Sequence, residues 1–417
     1  MSKPSDAQRA LLAAALVEPK PFYAEGIWSL PHEQLNLFLR TEPWCIDLGK
    51  DAASVAELDK LAAACQPATF GVNQEDVLDE SYRKAGKLDN KDFAINIDLV
   101  RSGLLQAVHD GLFSWEASPR NIQAELYKLN VYGPGSFFKA HKDTPRGEEM
   151  FGSLVLNFPV KHEGGALVLR HDGNEVKHDA SSAPYSSQDQ VSWVAFYSDV
   201  EHEVLPVTSG HRVTITYNLY FASDAATPPV KSEPLLQALK GLLADETFMP
   251  NGGRLGFGLK HQYPVPAEAS RRAAHILQDV AKCLKAGDRA LFESLASVGL
   301  DPKLWMIYDT DGYGVYLLDH VYEGGEHYEA SWDEVLVEWN KGEKIENGTD
   351  DEVYNEKTRG WMPAPALKTD LTWIVPRNQN SRVESHYIAY GNEASLESIY
   401  GDLALIVKVP AKEERAA

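Results

Sequence analysis

Three side chains in this sequence have the types and order of a mononuclear metal site. His141 and Asp143 sit in the run HKDTPR, and His202 sits downstream in DVEHEV. Two imidazoles and one carboxylate form the facial donor set that holds non-haem Fe(II) and leaves three coordination positions open. Such a centre has room for a cosubstrate and for O2. Arg212 follows ten residues after His202, in GHRVTITYNL. A buried arginine there would present a planar fork able to grip a carboxylate bidentately. The four residues together point to oxidising chemistry that uses iron, 2-oxoglutarate and O2.

These side chains need strands to bring them together. ELYKLNVY alternates and is rich in apolar and aromatic residues, so it reads as a strand, followed by a GPGS turn. FFKAH leads into His141. FGSLVLNFPV, ALVLRH, VSWVAFYSD, EHEVLPV and HRVTITYNLYF continue the series, with HEGG as a tight turn. Six or seven short strands with glycine turns predict an antiparallel sandwich or barrel. His141 and Asp143, two residues apart, share a strand face. A bare H-x-D is a weak signal in a chain with 13 histidines. Its place after a strand and a YGPG turn, with a second histidine on a later strand, gives it weight. The remaining histidines of this region, His162, His171, His178 and His211, read as surface or turn residues, and Trp193 as core.

Residues 124–221 resemble the 2-oxoglutarate/Fe(II) dioxygenase superfamily in its prolyl 4-hydroxylase-like branch. The runs that carry the resemblance are YGPGSFFKAHKDTP, EGGALVL and FYSDVEHEVLPVTSGHRVTITYNL. They supply, in order, an H-x-D, a Gly-Gly turn before a strand, a second histidine, and a basic residue ten positions on. The resemblance implies a double-stranded β-helix, or jelly-roll. It implies that His141, Asp143 and His202 are the metal and catalytic residues. Arg212, assisted by Thr214 on the same strand face and by Tyr132, would bind 2-oxoglutarate. Ascorbate is an optional reductant. The reaction implied releases succinate and CO2 and oxidises a substrate C–H bond, with hydroxylation as the default outcome. Two positions depart from the branch: Arg212 stands where many prolyl hydroxylases have lysine, and Phe138 where tyrosine is common.

The chain has 417 residues, more than one core comfortably holds. The expected class is α+β. A first domain, residues 1–222, carries N-terminal helices and the jelly-roll. Residues 222–233, ASDAATPPVKSE, form a linker. A mixed α/β domain over 234–417 is expected to pack on the catalytic core. Helical spacing is read over 96–113 and continued through 121–127 by Ile122 and Leu126. SYRKAGKLDN reads as a charged surface loop, or as a lid carrying Arg83. Arg146 is a loop arginine just past the metal ligands, and Gly391–Glu393 form a turn within an aromatic strand.

Net charge is −21, which opposes general binding to nucleic-acid phosphates and to anionic membranes. No apolar run approaches the ~20 residues of a membrane span, and the N-terminus lacks the pattern of a signal peptide. Three scattered cysteines argue for a reducing compartment, cytoplasmic or nuclear. The substrate is either a small molecule or a protein side chain. Two other functions stay open: a non-catalytic binding or regulatory protein on the dioxygenase fold, and an iron enzyme that consumes no 2-oxoglutarate. Intact ligands argue against the first and Arg212 against the second.

Overall fold

The computed structural model describes residues 3–16, 21–40, 44–72, 75–113, 121–143, 149–222, 232–263, 265, 273–310, 312–328, 330–349, 351–355, 359–378, 382–390 and 395–415. The chain divides into two compact units, one of residues 20–227 and one of residues 1–19 with 228–417. The first helix, Asp6–Ala15, therefore groups with the C-terminal unit, whereas the sequence reading assigned it to the first domain. Its capping box on Ser5 and Gln8 starts it. Leu12 is fully buried in the C-terminal core, and Gln8 donates to Asp245 and Thr247.

The unit of residues 20–227 is built on two antiparallel sheets. Its strands are β1 (Tyr23–Ser29), β2 (Gln66–Pro67), β3 (Arg83–Lys84), β4 (Gly86–Asp89), β5 (Ile122–Tyr132), β6 (Phe137–His141), β7 (Met150–Asn157), β8 (Leu167–His171), β9 (Asn174–His178), β10 (Gln190–Tyr197), β11 (Glu201–Val204) and β12 (Arg212–Phe221). The larger sheet runs β1-β10-β7-β12-β5-β4-β2, and the smaller β9-β8-β11-β6-β3. The sheets form the jelly-roll core. Ile122 opens β5 as a strand, so the helical reading of 121–127 is overturned. The helix ahead of it covers only Leu104–Phe113.

Alternation gives the larger sheet two unlike faces. Leu129, Val131, Leu154, Leu156, Trp193, Ala195, Val213 and Ile215 are buried on one face, on the sheet that carries the helix Leu104–Phe113. The other face carries Asn130, Ser153, Asn157, Ser192, Arg212 and Thr214, also buried. The register groups them: Tyr132 pairs with Arg212 and Asn130 with Thr214, while Asn157 pairs with both Thr214 and Ser192. Buried polar side chains need partners. So many of them on one inward face suit a polar ligand better than an oily core.

In the other unit, helices Glu233–Ala244, Ala273–Lys282 and Ala286–Ser297 share one apolar core with a sheet. Its longest strand, Ser395–Val409, pairs with Arg382–Tyr390, Pro302–Asp309 and Gly253–Gly258. The mixed α and β character read from the sequence holds here. Most of the 222–233 linker, Arg146 and the Gly391–Glu393 turn lie outside the described residues. Among the described residues no helix is long and apolar enough to cross a membrane.

Candidate active site

His141 ends β6 and His202 lies on β11. The two are direct partners across the antiparallel pair, with ring centroids 4.1 Å apart. His202 Nε2 is 3.7 Å from Asp143 Oδ1. One ligand atom from each of His141, Asp143 and His202 lies within 4.8 Å of the others.

Each donor is aimed by a neighbour. His141 Nδ1 donates to the Lys139 carbonyl at 2.8 Å, and His202 Nδ1 to the Val200 carbonyl at 3.0 Å. The proton thus sits on Nδ1, and Nε2 presents its lone pair. The Ser153 hydroxyl donates to Asp143 Oδ2 at 2.5 Å, and the Asp143 amide is tied to the Ser198 carbonyl. Phe138 stacks on His141, with centroids 3.6 Å apart, and Phe196 lies 4.7 Å from His202. Burial, and then the neighbouring His202, push the His141 imidazole well below its ordinary value. Burial opposes ionisation of Asp143, but His202, His141, the Ser153 hydroxyl and Lys128 overcome it and hold the carboxyl below the usual range. Two imidazoles with Nε2 lone pairs turned inward and a carboxylate suit a divalent transition metal.

Arg212 lies deeper, 2% exposed. Among the described residues no carboxylate sits within ion-pair distance of it. Its guanidinium carbon is 5.4 Å from the centroid of the Tyr132 ring. Burial lowers its pKa, while Tyr132, Tyr185 and Asp179 counter that. Thr214 is buried two residues along the same face. The Gly-Gly turn makes room for the arginine. A Cβ on Gly165 would stand 2.7 Å from Val207 Cγ2 and 3.0 Å from Arg212 Cδ, and its φ of 70° already favours glycine.

Further buried residues in and around this pocket escaped the sequence reading. His162 and His178, read there as surface or turn residues, are both buried, and so is His211. His162 Nδ1 donates to the Val160 carbonyl, leaving Nε2 buried with no partner. Burial, with Arg212 close by, lowers its pKa. Asn157 Oδ1 is likewise orphaned, and Ser153 braces the aspartate. Arg83 is buried as well, so neither the surface loop nor the lid expected of SYRKAGKLDN describes it. Two polar residues on one face of a buried strand, as at Ser153 and Asn157 four positions apart, were the signal available.

A buried guanidinium facing no carboxylate, with orphaned polar atoms beside it, fits a bound dicarboxylate. The three donors above fit Fe(II). Residues 127–220 match the model of the 2OG-Fe(II) oxygenase superfamily. No curated protein sequence matches this chain. Solved structures that resemble it include a prolyl-4-hydroxylase from Pseudomonas putida (20% identity, 51% of this chain and 100% of that one, TM-score 0.30). Others are a viral collagen prolyl hydroxylase from Paramecium Bursaria Chlorella virus-1 (14%, 48% and 97%, TM-score 0.26) and the α-ketoglutarate-dependent epimerase SnoN from nogalamycin biosynthesis (12%, 55% and 93%, TM-score 0.28). Residues 127–220 thus form a 2OG-Fe(II) oxygenase domain, of a superfamily of oxidoreductases that work with Fe(II), 2-oxoglutarate and O2.

Proposed function

We propose that His141, Asp143 and His202 hold the Fe(II) of this oxygenase and that Arg212 anchors the distal carboxylate of 2-oxoglutarate. The observation that carries the reading is the convergence of three ligand atoms from β6, the segment after it and β11 within 4.8 Å, beside a polar pocket that ends on Arg212. When bound, the iron, 2-oxoglutarate and O2 supply the oxidising chemistry, which releases succinate and CO2 and oxidises a substrate C–H bond.

The chain's own contribution is positioning and shielding. The Lys139 and Val200 carbonyls fix both imidazole tautomers, and Ser153 holds one carboxylate oxygen so that the other faces His202. Arg212 fixes one end of the cosubstrate through paired N–H donors. Tyr132 and Thr214, on the same inward face, complete that end. Phe138 and Phe196 wall the imidazoles and limit water at the metal. Three cysteines scattered along the sequence support a reducing compartment, the cytoplasm by our reading, where iron stays ferrous.

Under nitrogen, addition of 2-oxoglutarate to the Fe(II)-loaded chain should raise a visible charge-transfer band. In air it should release succinate slowly without any prime substrate. Neither signal should survive in Asp143→Ala. A chain that binds neither Fe(II) nor 2-oxoglutarate would refute the assignment.

A further inference from the structure

Arg83 is a buried charge that the iron and the cosubstrate leave unused. It is 5% exposed and lies on the short strand β3, opposite Phe138 of β6. Its guanidinium carbon is 4.3 Å from the centroid of the Phe138 ring, and that ring stacks directly on His141. Nη1 donates to the Thr69 carbonyl at 2.6 Å and Nη2 to Asn130 Oδ1 at 2.8 Å. Nε is buried with no partner. Among the described residues no carboxylate lies within ion-pair distance of this guanidinium.

Its place in the fold matters. Asn130 stands opposite Thr214, on the inward polar face that also carries Tyr132 and Arg212. Arg83 reaches that face from the smaller sheet, beside a metal ligand. Fe(II), a dianionic cosubstrate, Asp143 and Arg212 cancel in charge. Arg83 is then left as uncompensated positive charge. It lies inside a chain whose net charge is −21. A buried, unpaired charge is costly to keep, and it is neutralised if an anion docks on it. The free Nε–H and an in-plane Nη–H form the side-on pair that a carboxylate accepts.

We infer that Arg83 is an anion-binding residue of the substrate pocket and that the substrate carries a carboxylate which docks on it beside the metal centre. This rests on the oxygenase reading above.

The test uses the full chain loaded anaerobically with Mn(II) and 2-oxoglutarate, titrated calorimetrically with acetate, propanoate and benzoate, with their primary amides, and with inorganic phosphate. The expectation is that at least one carboxylate binds about tenfold or more tightly than its amide, and that Arg83→Gln removes that preference while Arg83→Lys keeps part of it. The affinity for 2-oxoglutarate should stay unchanged in both variants. A residue that merely braces Phe138 and His141 would alter Mn(II) affinity or melting temperature and leave the carboxylate-to-amide ratio alone. That ratio in the native chain does not depend on whether a variant folds. Intact 2-oxoglutarate binding with no preference for any carboxylate would overturn this inference alone. Phosphate bound ahead of every carboxylate would overturn the carboxylate assignment. Failure of 2-oxoglutarate to bind at all would overturn the oxygenase reading, and this inference with it.

Discussion

Ser153 donates its hydroxyl to Asp143 Oδ2 at 2.5 Å, which leaves Oδ1 as the oxygen facing His202. One small residue on the larger sheet thereby decides which carboxylate oxygen would face a metal held by the three donors. Ser153→Ala should fold normally yet bind Fe(II) about 10- to 100-fold more weakly, the usual effect of losing a partner that orients a ligand. Metal titration followed by calorimetry checks this. Unaltered affinity in a folded Ser153→Ala variant would show that Asp143 needs no such brace.

Arg212→Lys should retain activity with a raised requirement for 2-oxoglutarate, because lysine keeps the charge and loses the fork. Arg212→Ala should lose about 2 kcal/mol or more of cosubstrate binding, in the range measured for buried charge pairs. Gly165→Ala should act on the same site from behind, since its Cβ would press on Arg212 Cδ and Val207. The positive φ adds a strain of about 1–3 kcal/mol. Equilibrium dialysis of 2-oxoglutarate separates these effects from global unfolding measured by circular dichroism. Wild-type cosubstrate affinity in Arg212→Ala would give the arginine another role.

The convergence of His141, Asp143 and His202 and the buried Arg212 were legible because type, order and spacing coincided on strands of clear pattern. Much around them was not. Ile122 and Leu126 satisfy both a helical i, i+4 spacing and a strand's every-second-residue spacing, so the start of β5 read as helix. Arg83 sits in a two-residue strand within SYRKAGKLDNKD, too short to alternate and too charged to look buried. His178 is buried against Glu25 through a contact spanning 153 residues, and nothing local announces that. The first helix belongs with the C-terminal unit through Gln8 and Asp245, 237 residues apart.

That last placement is testable. Leu12 is fully buried in the core of the C-terminal unit. Leu12→Ala should therefore destabilise that unit by about 2–5 kcal/mol, and proteolysis should cut first within residues 228–417. Binding of 2-oxoglutarate should stay at its native value. Early cleavage within residues 20–227 would contradict the grouping.

Cysteine reactivity offers an independent check on packing. Burial pushes the Cys65 thiol up to about 12, so near pH 8 only about one molecule in ten thousand carries the reactive thiolate there. Raising the pH toward 12 increases that fraction and lowering it removes what little there is. Cys45 is exposed. Alkylation of the native chain at pH 8, read by mass spectrometry, should modify Cys45 and spare Cys65 until denaturant is added. Cys65 packs against Gly86, where an added Cβ would lie 2.6 Å from Cys65 Cβ, and equal labelling of the two cysteines would contradict that packing.

One pocket is assigned both a metal and a dicarboxylate, and the Fe(II)·2-oxoglutarate charge-transfer band under nitrogen tests that assignment most directly. The native chain should develop the band on addition of 2-oxoglutarate and lose it with chelator. Asp143→Ala should show no band at any concentration, and Arg212→Ala should show it only at much higher 2-oxoglutarate. No band in the iron-loaded native chain, or an undiminished one in Asp143→Ala, would contradict the assignment of His141, Asp143, His202 and Arg212.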